Sequence, residues 1–341
     1  MIKNNFFYFE KIEKVVFIGC SSIFDKLIEI NKDNNIKTIV ITSSDQAKKI
    51  DEKIKFDVFD KIDEKFKRFI KNNTNPDKTL FFSIGARNIF KKDVVKNIFS
   101  NNLINTHGTR LPLGRGEVSS WRILKQDRLD NQLFHIVDGD IDTGPIICNK
   151  LSIIPKECQT PGEIQKFRDI NLEIFYKSFL QKIIKKEKFL LKVQPDYLSS
   201  YLPRLSTEEN GWINWSMNPN ELIRFINAFD DPYIGASTYL NRKDLGRLHI
   251  KSAQLHGGEI INHSFMTGIV IRHDNDWIVV STSSKYSLII EKVLNAKGEN
   301  IISKIKQGDR FYTPINILEN AKNYRAFFDA KGLKKNKIIL K

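Results

Sequence analysis

The chain has 341 residues, of which 41% are hydrophobic and 28% charged, and its formal net charge is +15. That length favours two domains with real cores, and neither a membrane-spanning run of about 20 apolar residues nor a signal peptide is expected. Cys20, Cys148 and Cys158 are odd in number and lack metal spacing, which fits a reducing, cytoplasmic setting better than a disulfide framework or a zinc site.

In chain order, Val15–Gly19 reads as a buried strand ending at glycine. Ser21 and Ser22 offer caps for a helix with Ile23, Leu27, Ile28 and Ile30 inside. Ile36–Thr42 is a second strand, and Ser43–Asp45 cap another helix. Residues 56–59 form a short strand, followed by a helix with Ile62, Phe66, Phe69 and Ile70 on one face. Thr79–Ile84 and Lys92–Phe99 add a strand and a helix. This alternation predicts an α/β fold: a Rossmann-like, mostly parallel sheet with helices on both faces. Gly19 alone is not a dinucleotide fingerprint, because the second and third glycines are missing.

Ligands in such sheets lie beyond the carboxyl ends of the strands. There the run 101–104 delivers Asn105 and His107 into a loop crowded with glycine, proline and arginine. Residues i and i+2 of a strand share a face, so the amide and the imidazole can aim at one volume, which the Asp142 carboxylate could join. Taken singly, Asn105 could cap a turn, His107 could be a satisfied loop histidine, and Asp142 could begin a turn.

Further on, residues 118–125 look helical, and 133–137 and 146–154 read as strands. Thr160-Pro161-Gly162-Glu163 has the cap and proline of a helix start. The helix is expected to run to Lys186, with Ile164, Phe167, Ile170, Ile174, Phe175, Phe179 and Ile183 inside. Residues 189–205 turn extended, held by contacts rather than by their own propensity. A helix from Pro219 to Phe229 follows, then five short runs at 236–240, 248–251, 268–271, 277–280 and 286–290, which predict a small OB-like β-barrel. The expected division is a catalytic domain at 1–188, a connector at 189–207, a C-terminal domain with its barrel at 208–318 and a basic tail at 319–341.

The central stretch resembles the folate-dependent formyltransferases. It carries Asn105-x-His107, the loop Leu111-Pro112-Leu113-Gly114-Arg115-Gly116, His135-x-x-Asp138 and Asp142-Thr143-Gly144. Glu209–Ser216 and Asp231–Ala236 resemble the C-terminal domain shared by methionyl-tRNA and sugar formyltransferases. Residues 131–135 lack the usual Gly-Val-Thr, the usual Asp-Glu-Gly is Asp138-Gly139-Asp140, and Glu117–Trp121 lack the Ala-Ala-Pro-Ile-Gln of the tRNA enzymes. The Trp here is more like the sugar-formylating members.

The resemblance implies formyl transfer from 10-formyltetrahydrofolate to the amino group of a nucleotide-linked amino-deoxy sugar, with dTDP as the expected nucleotide, for surface polysaccharide synthesis. Methionyl-tRNA formyltransferase is the alternative, and a folate- or nucleotide-sensing binding protein a third reading. In that family frame His107 moves a proton. Asn105 donates to the oxyanion, a role worth about 3–4 kcal/mol. Asp142 fixes the imidazole and favours its charged form, and Gly144 lets the backbone pass close to ligand. The pterin is expected against Arg87, Asn88, Ile89 and the loop Val137, Asp138, Gly139, Asp140. The substrate is expected against Thr109, Arg110, Arg115, Gly116 and Trp121. Arg87 could instead be an ordinary surface arginine, Arg115 could pin its own loop, Trp121 could be a core residue, and His135 could simply bond its neighbours. Sugar-formylating relatives are often dimers, so a homodimer fits. The lysines are scattered among asparagine and isoleucine, and no dedicated nucleic-acid surface is expected.

Overall fold

The computed structural model describes residues 2–3, 5–257, 261–329 and 332–334. Seven strands form the first sheet: β1 (Lys14–Gly19), β2 (Lys37–Thr42), β3 (Asp57–Val58), β4 (Thr79–Ile84), β5 (Leu103–His107), β6 (Leu129–Ile136) and β7 (Ile146–Ile153). Their order is β3-β2-β1-β4-β5-β6-β7, parallel through β5 and antiparallel from β6 on. β1 and β4 lie in the middle of the sheet and are apolar on both faces, as a doubly covered parallel sheet requires.

Helices α1 (Phe24–Asp33), α2 (Glu64–Asn73), α3 (Lys92–Phe99), α4 (Ser119–Lys125) and α5 (Pro161–Ile184) cover this sheet. The expected serine caps of α1 are not used. Ile23 stands at its N-cap without a side-chain bond, and Ser22 Oγ donates instead to Asp169. After Ser43 the chain makes a single turn, Ser44–Ala47, rather than a full helix.

Helix α5 begins with a capping box between Thr160 and Glu163, with Pro161 in the first turn. Its buried stripe is Leu172, Phe175, Tyr176, Phe179, Leu180 and Ile183. Ile170 and Ile174, expected inside, are 60% and 53% exposed. A period of 3.6 puts Ile170 and Leu172 on nearly opposite sides, and the aromatic side wins. Phe134 of β6 packs 4.6 Å from the Phe175 ring and 4.9 Å from Phe179.

The connector is anchored at its start, where Phe189–Leu190 pairs with Phe6–Phe7. Beyond it, helix α6 (Pro219–Ala228) packs on six antiparallel strands: β8 (Ala236–Leu240), β9 (Leu248–Gly257), β10 (Val270–His273), β11 (Ile278–Ser281), β12 (Tyr286–Leu294) and β13 (Phe311–Tyr312). Their order is β10-β11-β12-β9-β8-β13. The sheet curls until its ends meet: Phe311 N donates to Gly268 O at 2.8 Å and Val270 N to Asp309 O at 2.8 Å. The expected barrel is therefore present, with a sixth strand of two residues that the alternation did not reveal.

Helix α7 (Ile315–Asn323) crosses the boundary expected at 318/319. Of the expected basic tail, residues 330–331 and 335–341 lie outside the described residues. Ile123, Ile154 and Ile164 of the first half share one core with Leu222, Ile226, Ile250 and Phe311 of the second.

Candidate active site

Antiparallel pairing sets Asn105 opposite His135 and His107 opposite Leu133. This puts the amide and both imidazoles on one face of the sheet. Asp142 reaches them from the loop after β6, where its own backbone is left-handed with φ +54°.

His135 Nδ1 bonds Ile136 O at 2.9 Å, which leaves Nε2 as an acceptor. Asn105 Nδ2 donates to that nitrogen at 3.1 Å and to Asp142 Oδ1 at 3.2 Å. The other Asp142 oxygen accepts from Gly116 N at 2.9 Å.

His107 is 8% exposed. Its Nε2 lies 2.6 Å from Thr109 Oγ1 and 3.0 Å from Gly114 O, while the Thr109 hydroxyl donates to Gly114 O at 2.7 Å. This network places the proton on Nε2. Nδ1 is left facing Asp142 Oδ2 at 3.6 Å, beyond a direct hydrogen bond.

Burial depresses the His107 pKa. Asp142 pulls the other way, but the net shift stays downward, with His135 and Arg168 adding to it. Asp142 does favour the charged ring, as expected, but burial outweighs it and the ring stays neutral, while Thr109 and Gly114, rather than Asp142, fix its orientation. For Asp142, burial raises the carboxyl, but the two imidazoles and the Gly116 N–H overcome this and hold it far below the usual carboxylate range.

The connector contributes to the site, which the sequence did not disclose. Gln194, 6% exposed, donates from Nε2 to Asp142 O at 2.9 Å and to Gly144 O at 2.7 Å. Arg115 is buried; its Nε donates to Gln194 Oε1 at 3.3 Å and its Nη2 to Asp196 Oδ1 at 2.9 Å. Backbone bonds from Arg115 N to Ser200 O and from Leu202 N to Arg115 O complete the clamp. Arg115 thus pins its loop to the connector. Gly144 does make a close approach, but to the chain itself: a Cβ there would sit 1.8 Å from Ile136 O.

The other expected residues divide. Thr109 is in the His107 network, and Gly116 supplies the N–H to Asp142. Arg110 is exposed and paired with Asp127 at 3.2 Å. Trp121 donates its indole N–H to Pro203 O at 2.7 Å and lines a cavity of about 530 Å³ against Trp212, Phe225 and Tyr324, away from His107. On the expected pterin side, Arg87 is ion-paired with Asp45, and Asn88 Nδ2 donates to Asp60 O at 3.2 Å. Ile89 is half-buried beside them. Asn88 also lines a cavity of only about 20 Å³, room for roughly one water, so a pterin would have to lie outside it. In the loop 137–142, Val137 N bonds Leu103 O. Asp138 Oδ1 accepts from Asp140 N at 3.3 Å and from Thr143 Oγ1 at 2.6 Å, and Gly139 takes φ +105°.

A half-buried amide, a neutral imidazole and an ionised carboxylate at the carboxyl end of a parallel strand are groups suited to proton and group transfer, on an α/β domain with an appended barrel. Residues 205–308 match the model of the formyl transferase C-terminal domain. A methionyl-tRNA formyltransferase of Prochlorococcus marinus is 29% identical over 214 residues, 60% of this chain and 63% of that relative, so the chain spans just under two thirds of its length. WlaRD, a sugar 3N-formyl transferase solved with dTDP and 5-N-formyl-THF, shares the fold with a TM-score of 0.58 and 21% identity, over 82% of this chain and 97% of its own. The N-formyltransferase of Helicobacter canadensis, solved with folinic acid and dTDP-3-aminofucose, gives 0.57 and 20%, over 82% and 99%. Residues 205–308 thus carry a formyl transferase C-terminal domain, and beyond it the chain is similar in sequence and fold to formyltransferases.

Proposed function

We propose that the protein transfers a formyl group from 10-formyltetrahydrofolate to the amino group of a nucleotide-linked amino-deoxy sugar, with dTDP as the nucleotide and surface polysaccharide synthesis as the use. The observation that carries this reading is the convergence of Asn105, His107 and Asp142 on one face of the sheet. When bound, the folate supplies the formyl carbon. The N–H groups of Gly139 and Ile141, which find no hydrogen-bond partner among the described residues, suit the edge of a pterin.

The chain's own residues divide the work. A neutral amine attacking the formyl carbon generates an oxyanion and must shed a proton. The neutral His107 accepts it at Nδ1, where Asp142 stabilises the imidazolium so formed. Both hydrogens of Asn105 Nδ2 are engaged at rest, and the bond to His135 Nε2 is the one to exchange for the oxyanion. The returning proton goes to the departing folate nitrogen as its bond to the formyl carbon breaks.

The sugar reading is supported by the two sugar-formylating neighbours and by the tryptophan after Arg115-Gly116. The methionyl-tRNA relative favours the alternative substrate. A turnover assay with 10-formyltetrahydrofolate decides between them, offering dTDP-, UDP- and GDP-linked amino sugars in one arm and initiator methionyl-tRNA in the other, with His107→Ala as the blank. Product from a nucleotide sugar alone is expected. Formylation of the tRNA alone would overturn the sugar reading.

A further inference from the structure

Behind His107 lies a cluster of three charges, two buried and one half-buried, that the reaction does not touch. Asp130 is fully buried and Arg122 is 1% exposed, and they pair at 2.7 Å. Arg168 of α5 approaches the same carboxylate oxygen at 3.7 Å. The cluster meets the catalytic strand at one peptide. Arg122 Nη1 donates to Gly108 O at 2.5 Å, and Asn131 N donates to the same carbonyl at 3.3 Å. The Arg168 guanidinium lies flat against the Gly108 Cα, where an added Cβ would come within 2.0 Å of it. Arg122 is tied down further by Leu129 O at 2.7 Å.

We propose that Arg122, Asp130 and Arg168 form a positioning device for His107, acting on the ring through the Gly108 peptide that follows it. The inference rests on reading His107 as the proton-transferring group. Buried ion pairs add little net stability, since desolvation offsets most of their attraction. Two guanidiniums share the one Asp130 carboxylate, and Asp127 beside Arg122 and Asp169 beside Arg168 offset only part of the positive charge left over. Asp130 Oδ2 and Arg168 Nε even lack hydrogen-bond partners among the described residues. An apolar cluster would hold α4 and α5 to β6 more simply, so the charges are explained by what they do to His107. The arginine pair fixes the peptide behind the ring, and its surplus charge disfavours a second positive charge there. The ring faces Asp142 and His135 on its other side, and the Glu117–Lys125 pair lies beyond Gly114.

Three variants give opposed signs. Arg168→Gln removes one of the two positive charges, and Asp130→Asn enlarges the surplus by removing the carboxylate that both arginines share. Gly108→Ala pushes the Arg168 guanidinium away, at a point where the clash is with the end of a side chain. The readout is the titration of the His107 ring followed by imidazole NMR, alongside the acid limb of kcat/KM. Arg168→Gln and Gly108→Ala are expected to raise the His107 titration by about half a unit, roughly a threefold change in its protonation ratio. Asp130→Asn is expected to lower it, and Arg168→Lys to restore it. An unmoved titration in Arg168→Gln, with only the melting temperature changed, would overturn the proposal even if Asp130→Asn fails to fold. Because the titration needs no substrate, a moved titration without formyl transfer would sink the reaction reading and leave the positioning role standing.

Discussion

At Asp142 the backbone and the side chain serve the site together, and the residue cannot be exchanged freely for either reason. Its φ of +54° is a left-handed conformation that asparagine tolerates and most side chains resist. Asp142→Asn should therefore fold with a melting temperature close to the parent's while removing the charge that faces His107. Turnover is expected to fall by about a hundredfold or more, and steady-state kinetics beside a melting curve checks both halves. His107 itself makes a signed prediction. Its ordinary pKa is about 6.5, and burial pushes it down. Activity should persist below that value as pH falls and fail only when the pH passes the lowered pKa of the folded enzyme. An acid limb of kcat/KM at or above the ordinary value would contradict the neutral ring. Asn105 and His107 were legible in the sequence because two-residue spacing at a strand end dictates a shared face. Thr109 was singled out as a substrate contact, and its grip on His107 depends on a loop closure that spacing does not encode. Gln194 was invisible, since nothing marks a glutamine in an extended connector as the partner of a carbonyl some fifty positions earlier.

Helix α5 shows how far periodicity reads an element and where it stops. Its start was legible, because Thr160, Pro161 and Glu163 are a cap, a first-turn proline and a capping-box partner. Its inner face was not, because apolar residues fill both sides and Ile170 and Ile174 compete with Leu172, Tyr176 and Leu180. The winning side, Phe179 among it, faces the Phe82 and Phe134 rings, which only the assembled sheet brings together. Leu180→Ala is expected to cost about 2–5 kcal/mol, whereas Ile170→Lys on the exposed side should change stability by no more than about 0.5 kcal/mol. Chemical denaturation of the two variants tests the assignment, and a large loss from Ile170→Lys would reverse it. The two-residue strand Phe311–Tyr312 escaped the sequence for the complementary reason. It is too short to alternate, and it exists as a strand because the curled sheet needs an edge partner for β8.

On the scale of the whole molecule, the two halves are joined more tightly than a linker between domains implies. The connector is built into the catalytic loop by Arg115, Ser200 and Leu202, and Gln194 holds the carbonyls of Asp142 and Gly144. The seam is apolar as well as polar. Ile123, Ile154 and Ile164 are buried among Leu222, Ile226 and Ile250, and Gly162 N donates to Asp231 O at 2.6 Å. Independent domains joined by small polar interfaces unfold separately, while a shared core couples them. The full chain should therefore unfold in one calorimetric transition, with the van't Hoff enthalpy matching the measured one. A chain ending at residue 207 should expose the seam isoleucines and lose the packing of α4. It is expected to aggregate or to lose the near-ultraviolet signature of ordered aromatics. Two resolved transitions in the full chain, together with a soluble and ordered 1–207 fragment, would show that the barrel is an appendage. One transition would make the C-terminal half part of what holds Asn105, His107 and Asp142 in place.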